Sequence, residues 1–305
     1  AIAVSANKWQ YNCIETLNNW IDLLSSIFPE NDRAALCRQY STEVYDMVQQ
    51  RVKDIPDEDR ARAFFLFQYN DSTIMTSGKL FFGQWWATAI GARNVAEELT
   101  QDNSVTVNLE QVYEWNPGVI FMTNFNTAQP EDLYNNTVGT YDWSGIQAVQ
   151  DKSVYKMPLG MYRSYTPGID TPITLLWMAK TTYPTLFEDI DVTQRAIDYY
   201  ETVFGVTLTS EQVEQLCKNY DKVYPVNFNC PGQIVIAGTS AAVERAEADT
   251  IPDGEVVIAT GPLTSAAMAA APMMASVLGR SRPPGTQTLQ LFCASSRAWA
   301  MPLVT

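Results

Sequence analysis

The sequence predicts an α/β protein built on a largely parallel sheet. Three observations carry this: apolar residues at helical spacing from Trp9 to about Val52, short apolar runs bounded by turn signals, and a helix, turn and strand in immediate succession at NLEQVYEWNPGVIFMT. Taken in order, Ile14, Leu17, Ile21, Leu24, Ile27, Leu36, Tyr40, Val44, Met47 and Val48 mark a long helical segment, bent at Pro29 and restarted by Asn31 or Asp32 as a cap. IPDED ends it. ARAFFLFQY (Ala61 to Tyr69) has the bulk of a buried strand, NDSTIMTSGK reads as loop, and LFFGQWWATAIGARNVAEEL reads as a helix with an aromatic start.

Asn108 caps the next helix, NLEQVYEW, and Asn116-Pro117-Gly118 turns the chain into the strand VIFMT. SVYKMP is a further strand. Helices follow at Pro172 to Thr182, at Val192 to Phe204 with Gly205 as the stop, and at Leu208 to Cys217.

Beyond about Lys222 the composition changes. No acidic residue follows Glu255, and only Tyr224, Phe228, Phe292 and Trp299 are aromatic past Val223. GQIVIAGTSAAVERA and GEVVIATGPLTSAAMAAAPMMASVL each read as strand, loop and helix, whereas RSRPPGTQTLQLFCASSRAWAMPLVT shows neither period. The predicted organisation is therefore a helical region over 1–55, an α/β region over 56–222 and an atypical tail over 223–305.

Composition excludes several function classes. A chain of 305 residues with 46% hydrophobic residues can bury a sizeable core, and its net charge of -14 opposes the phosphate contacts of a nucleic-acid binder. There is no histidine, which removes His-based triads, Cys-His pairs and the usual zinc-hydrolase sites. The five cysteines are scattered with no C-x-x-C pair, and most are expected to be buried small hydrophobes. No stretch approaches the roughly 20 apolar residues that cross a bilayer.

The most informative segment is GMYRSYTPGIDTPITLLWMAK, where an arginine stands between two tyrosines ahead of a Pro-started helix. A guanidinium offers a fixed charge and a planar fork of donors for carboxylates or oxyanions, so Arg163 is the leading candidate for ligand contact, against a plain structural salt bridge. Tyr162 and Tyr165 can line the same cleft, although alternation in an extended loop turns one of them into the core. Phe82 and Trp85 are candidates for an apolar wall, Lys79 for a second positive group, and Tyr69 for a place at a strand end. For all three aromatics the alternative is ordinary core packing.

NLEQVYEWNPGVIF, TSGKLFFGQWWATAIGARNVAEEL, YDWSGIQAVQDKSVYKMPLGMYRSYTPGIDTPITLLWMAK and YPTLFEDIDVTQRAIDYYETVFGVTLTSEQ together resemble the substrate-binding proteins of ABC importers for iron-siderophore, haem, cobalamin and related metal complexes. The resemblance covers residues 1 to about 217. It implies a two-lobed periplasmic-binding-protein fold with a long interlobe helix, here Trp9 to Val52. The carboxy-terminal lobe is recognisable, and the amino-terminal lobe is absent or replaced.

It further implies a non-enzymatic role in the periplasm or outside the cell, with a lipid anchor as an option. The partners would be an ABC permease and a ferric siderophore, haem, cobalamin or oxyanion, with no cofactor and no metal held directly by protein side chains. Asp170 lies where the family's carboxy-terminal lobe carries a permease-docking acid. The local alternative is a helix-start carboxylate.

The tail resembles other families over short stretches: malonyl-coenzyme A:acyl carrier protein transacylases at about 223–246 and folate-dependent tRNA uracil methyltransferases at about 254–269. These suggest an acyltransferase or a flavin- and folate-dependent methyltransferase as the rival reading. Against it, G-x-S-x-G and G-x-G-x-x-G are both absent. The tail is open to three readings: foreign sequence, a genuine fusion, or a replacement lobe of a circularly permuted binding protein.

Overall fold

The computed structural model describes residues 5–29, 33–161 and 163–218, together with four later strands. Asn12 opens the first helix, α1 (Cys13–Ile27), by accepting the Glu15 N–H at 2.9 Å. α2 (Arg33–Val52) follows. Cys13 shares a core with Val44 and Val48, while Leu17 and Ile21 share another with Cys37. The two helices therefore run back along each other, with Asp22 paired to Arg38 across them. The expected helical segment is thus two helices, the second being the restart expected after Pro29, and they pack against each other rather than forming one bent rod; the expected caps Asn31 and Asp32 lie outside the described residues. α2, at 20 residues, supplies a rod of about 30 Å.

The α/β region begins with β1 (Arg62–Leu66), β2 (Gln68–Asn70) and β3 (Thr73–Ser77), then α3 (Phe82–Ala89), β4 (Arg93–Asn94) and β5 (Ser104–Val107). α4 (Leu109–Trp115), β6 (Val119–Met122), α5 (Pro130–Asn135), α6 (Gln147–Gln150) and β7 (Val154–Lys156) complete its first half. β4, β1, β6 and β7 form a parallel sheet in that order, as the sequence predicts.

Alternate residues of the central strands enter different cores. Ala63, Phe65, Val119 and Phe121 pack on one face, and Phe64, Leu66, Ile120 and Met122 on the other. Burial on both faces explains the unbroken apolar runs.

Two expectations fail in this half. The run from Leu80 to Leu99 is helical only over α3, because Gly91 takes a left-handed φ of 75° and Arg93 and Asn94 then pair with β1. The stretch read as loop, NDSTIMTSGK, carries β3, which joins β2 and β5 in a small antiparallel sheet. Its buried residues include Thr76 and Ser77, whose polarity hides the strand from a hydrophobicity reading.

α7 (Thr171–Thr182) and α8 (Val192–Tyr199) follow. α8 continues into a π turn over Tyr200–Phe204 that stops at Gly205, and α9 (Ser210–Lys218) ends the unit Ala1–Lys218. α7 packs with α2 and α3 around Phe65, Trp86 and Phe121.

The second unit, Asn219–Thr305, contains β8 (Val223–Cys230), β9 (Gln233–Gly238), β10 (Glu255–Thr260) and β11 (Gln290–Cys293). Their order is β11-β10-β9-β8, parallel except for β8. β9 and β10 are the two strands expected in the tail. β11 falls in the stretch that shows no period, since four residues are too few to display one. The helices expected after β9 and β10 lie outside the described residues.

Candidate functional site

Open α/β sheets bind ligands outside the carboxyl ends of their strands. β1, β6 and β7 run parallel, so Phe67, the loop from Thr123 to Gln129 and the loop from Met157 to Asp170 all leave the same edge.

That edge is cross-braced by polar side chains. Thr123 Oγ1 donates to the Phe67 carbonyl at 2.7 Å, and the Asn126 amide donates to the Leu66 carbonyl at 3.2 Å. Asn124 donates to the Met157 carbonyl at 2.8 Å and accepts from Ser164 Oγ at 3.3 Å. Lys156 is buried at the end of β7, where its Nζ donates to the carbonyls of Asn126 and Ala128 at 2.7 and 2.8 Å. Burial lowers its pKa to about 7, opposed by the charge of Asp132.

On this frame lies a group of half-buried rings. Phe67 packs on Phe81 and Phe125 at centroid distances of 5.6 and 4.8 Å, and Tyr11 meets Phe81 edge-on at 5.3 Å. The Arg163 guanidinium sits over the Phe125 ring at 4.5 Å, a cation–π stack that holds its planar fork in place. Its backbone is left-handed, with φ 38°. A preformed platform of this kind presents ring faces and one fixed positive charge, which suits a bulky or planar anion.

The other sequence-predicted residues fall in different places. Tyr165 is fully buried: its hydroxyl bonds to Ser77 Oγ, its carbonyl accepts the Trp86 indole N–H at 2.9 Å, and burial pushes its pKa up. It supports the platform from below, against Phe67, Phe81 and Phe125. Phe82 is buried beside it, and Trp85 is half-buried against Trp86 at 4.7 Å.

Tyr69 lies in the core of the opposite sheet face, where its hydroxyl accepts the Trp143 indole N–H at 2.9 Å and donates to the Val138 carbonyl. Lys79 is exposed at the start of the turn into α3, and Tyr162 lies outside the described residues. Sequence reasoning therefore picked Arg163 but passed over Phe67, Phe81 and Phe125. The usable signal was their position, two of them just past the apolar runs of β1 and β6.

Asp170 precedes α7 without capping it through its side chain. Its carboxylate accepts the Met161 N–H at 2.5 Å and the Tyr200 hydroxyl, and it borders a cavity of about 250 Å³ shared with Ile173, Trp177, Tyr200 and Val213. Burial pushes its pKa up, and the two hydrogen bonds oppose the shift. A Cβ on Gly160 would fall on this carboxylate. Among the described residues no group of three Cys, Asp or Glu side chains is placed to hold a metal ion.

A parallel sheet covered on both faces, with a braced aromatic and cationic edge, is an α/β layer of the kind that takes ligands at its strand ends. The chain belongs to the periplasmic binding protein family, whose model matches residues 3–159. Over 194 residues it is 28% identical to the molybdate-binding protein MolA of Haemophilus influenzae, a stretch that is 62% of this chain and 51% of that protein. The chain thus spans about half the length of this curated relative.

Among solved structures, a periplasmic solute binding protein of Veillonella parvula is similar, with a TM-score of 0.62 and 26% identity over 68% of this chain and 61% of that one. The fold is also that of H. influenzae MolA bound to molybdate, with a TM-score of 0.55 at 24% identity over 68% of this chain and 60% of that one.

Proposed function

We propose that this chain is the carboxy-terminal, ligand-contacting part of an extracytoplasmic solute-binding protein. It captures an anionic metal complex or metal oxyanion and hands it to an ABC permease. The observation that carries this is the Arg163 guanidinium stacked on Phe125 within the ring group at the carboxyl edge of the sheet. Ferric siderophores, haem, cobalamin and molybdate are the ligand classes in question. Molybdate gains weight from the name of the 28% identical relative, and the breadth of the ring platform favours a bulkier chelate.

Binding rather than chemistry is its work: the ligand is held and released unchanged. Arg163 meets the negative charge and Phe67, Phe81 and Phe125 contact the organic body; Trp85, Lys79 and Tyr162 are further candidate contacts. Tyr165 and Phe82 serve as support beneath the wall, and Tyr69 stands apart from it in the core of the opposite sheet face. Permease docking by Asp170 belongs to the same proposal and requires its carboxylate to exchange the Tyr200 hydroxyl for a permease arginine. The family's name supports the periplasm as the site of action, and no helix among the described residues is long and apolar enough to cross a membrane.

Titrating the protein with ferric siderophores, haem, cobalamin and sodium molybdate, followed by tryptophan fluorescence and calorimetry, tests this reading. A saturable response to one of them supports it. Silence toward all four sinks it.

A further inference from the structure

We propose that Lys156 is a positioning residue for the ligand wall: from the end of β7 its amine gathers the loop after β6 and so fixes Phe125, the ring beneath Arg163. Nζ donates to the Asn126 carbonyl at 2.7 Å, the Ala128 carbonyl at 2.8 Å and the Asn126 side-chain oxygen at 3.2 Å. These three acceptors bracket the residues directly after Phe125. Asn126 in turn donates to the Leu66 and Phe67 carbonyls at 3.2 and 3.4 Å, so a single chain of contacts runs from β7 through the loop to β1. Thr123 and Asn124 brace the start of the loop, on the near side of Phe125, whereas the Lys156 amine joins Asn126 and Ala128, on its far side, to β7.

An apolar residue would satisfy the packing at this depth, since the neighbouring strand pairs Met122 with Lys156. A buried amine is costly, and its presence is explained by the carbonyls it collects. The charged group facing it from α5 is Asp132; Met122 of β6 and the loop residues Asn126 and Ala128 carry no charge. The wall's role in binding is taken from the proposed function, whereas the tie itself stands on these contacts.

The tie has a pH signature. Folded, Lys156 keeps its proton only up to about pH 7, and above that the neutral amine still has two N–H donors for the Asn126 and Ala128 carbonyls; a solvated lysine keeps its proton up to about 10.4. Loop opening that returns the amine to water therefore takes up a proton between those values, and opening becomes harder as pH rises through that window.

Hydrogen exchange of the 124–129 amides, corrected for intrinsic rates, is measured at about pH 7 and about pH 9 on the native protein and on Lys156→Met. Expected are protection that grows with pH in the native protein, a pH-independent loop in Lys156→Met, and about tenfold faster loop exchange in that variant at neutral pH, with β1 and α7 unchanged. Native protection that does not grow with pH overturns the proposal even if the variant fails to fold. Unchanged loop exchange in a folded variant overturns it as well.

Calorimetry with sodium molybdate separates the two readings. A native protein that binds it, with Kd raised about tenfold in Lys156→Met, supports Lys156 as part of the wall; an unchanged Kd beside a loosened loop removes it from the wall. A native protein that binds none of the four probes counts against the proposed function, and the exchange result then decides the tie alone.

Discussion

Arg163 and Asp170 stand on one loop, yet the fold treats their charges in opposite ways. The guanidinium rests half-buried over the Phe125 ring, at the edge braced by Thr123, Asn124 and Asn126. The carboxylate turns toward the molecule's own donors, Met161 N–H and Tyr200 hydroxyl, and burial drives its pKa up. The proposed ligand contact is stacked on a ring and half-buried, whereas the carboxylate proposed for permease docking is enclosed by its own donors and costs stability when ionised. The same division separates Phe81 from Phe82, one ring half-buried in the wall and its neighbour packed in the core.

The contrast can be broken most forcefully from beneath. Tyr165→Ala removes a fully buried ring and its bond to Ser77, and is expected to cost about 3–5 kcal/mol in urea unfolding. Phe81→Ala should cost less than half of that. Equal losses would erase the distinction between wall and support.

Arg163→Ala is the next largest effect, and it falls on binding: about 1.5–3 kcal/mol of affinity for an anionic ligand, with unfolding stability changed by about 1 kcal/mol at most. An unchanged Kd would remove Arg163 from the wall. Tyr200→Phe withdraws one donor from Asp170 and should cost about 1 kcal/mol of stability, read by thermal melting at neutral pH. No loss would mean that the carboxylate finds water in place of the hydroxyl.

The smallest effect is a difference of sign between two aspartates. Asp170 has a raised pKa, so its contribution to stability is full below the unfolded value and is lost as pH rises through the folded one. Asp189 is paired with Arg51 at 2.5 Å and lowered to about 2, so its contribution is present above the unfolded value and is lost as pH falls through about 2. Relative to the native protein, Asp170→Asn should gain stability with rising pH from about 4 upward. Asp189→Asn should be weaker at neutral pH and converge with the native protein near pH 2. Urea melts across that range decide it, and parallel curves for the two variants would contradict the assignment.

Much of the sheet is legible in sequence because its strands are buried on both faces and its turns are chemically marked. Asn108 closes a full capping box with Gln111, and Asn116 takes the left-handed turn that launches β6, as the motif NLEQVYEWNPGVIF announces. β3 escaped notice because its inward residues Thr76 and Ser77 are polar and satisfied by the Phe65 carbonyl and Tyr165 hydroxyl. α3 stops early where Gly91 takes a left-handed φ of 75° in a place where any side chain would collide with Val52 of the distant α2.

For the candidate site, Arg163 could be singled out in sequence as a proposed contact, and the rings around it could not. Whether Phe67 or Tyr69 faces a ligand is fixed by which loop ends the strand beside it. Local pattern does not report that.

The left-handed backbone at Arg163 has an evolutionary reading. Glycine there would relieve about 1–2 kcal/mol of local conformational cost, offset by about 0.4–1 kcal/mol of added chain freedom when unfolded and by about 0.5–1 kcal/mol for the lost stack on Phe125. On these terms alone folding does not favour arginine over glycine at this position, although a left-handed backbone is costly for either a β-branched or a bulky residue. An arginine maintained there across descendants would be a record of capture.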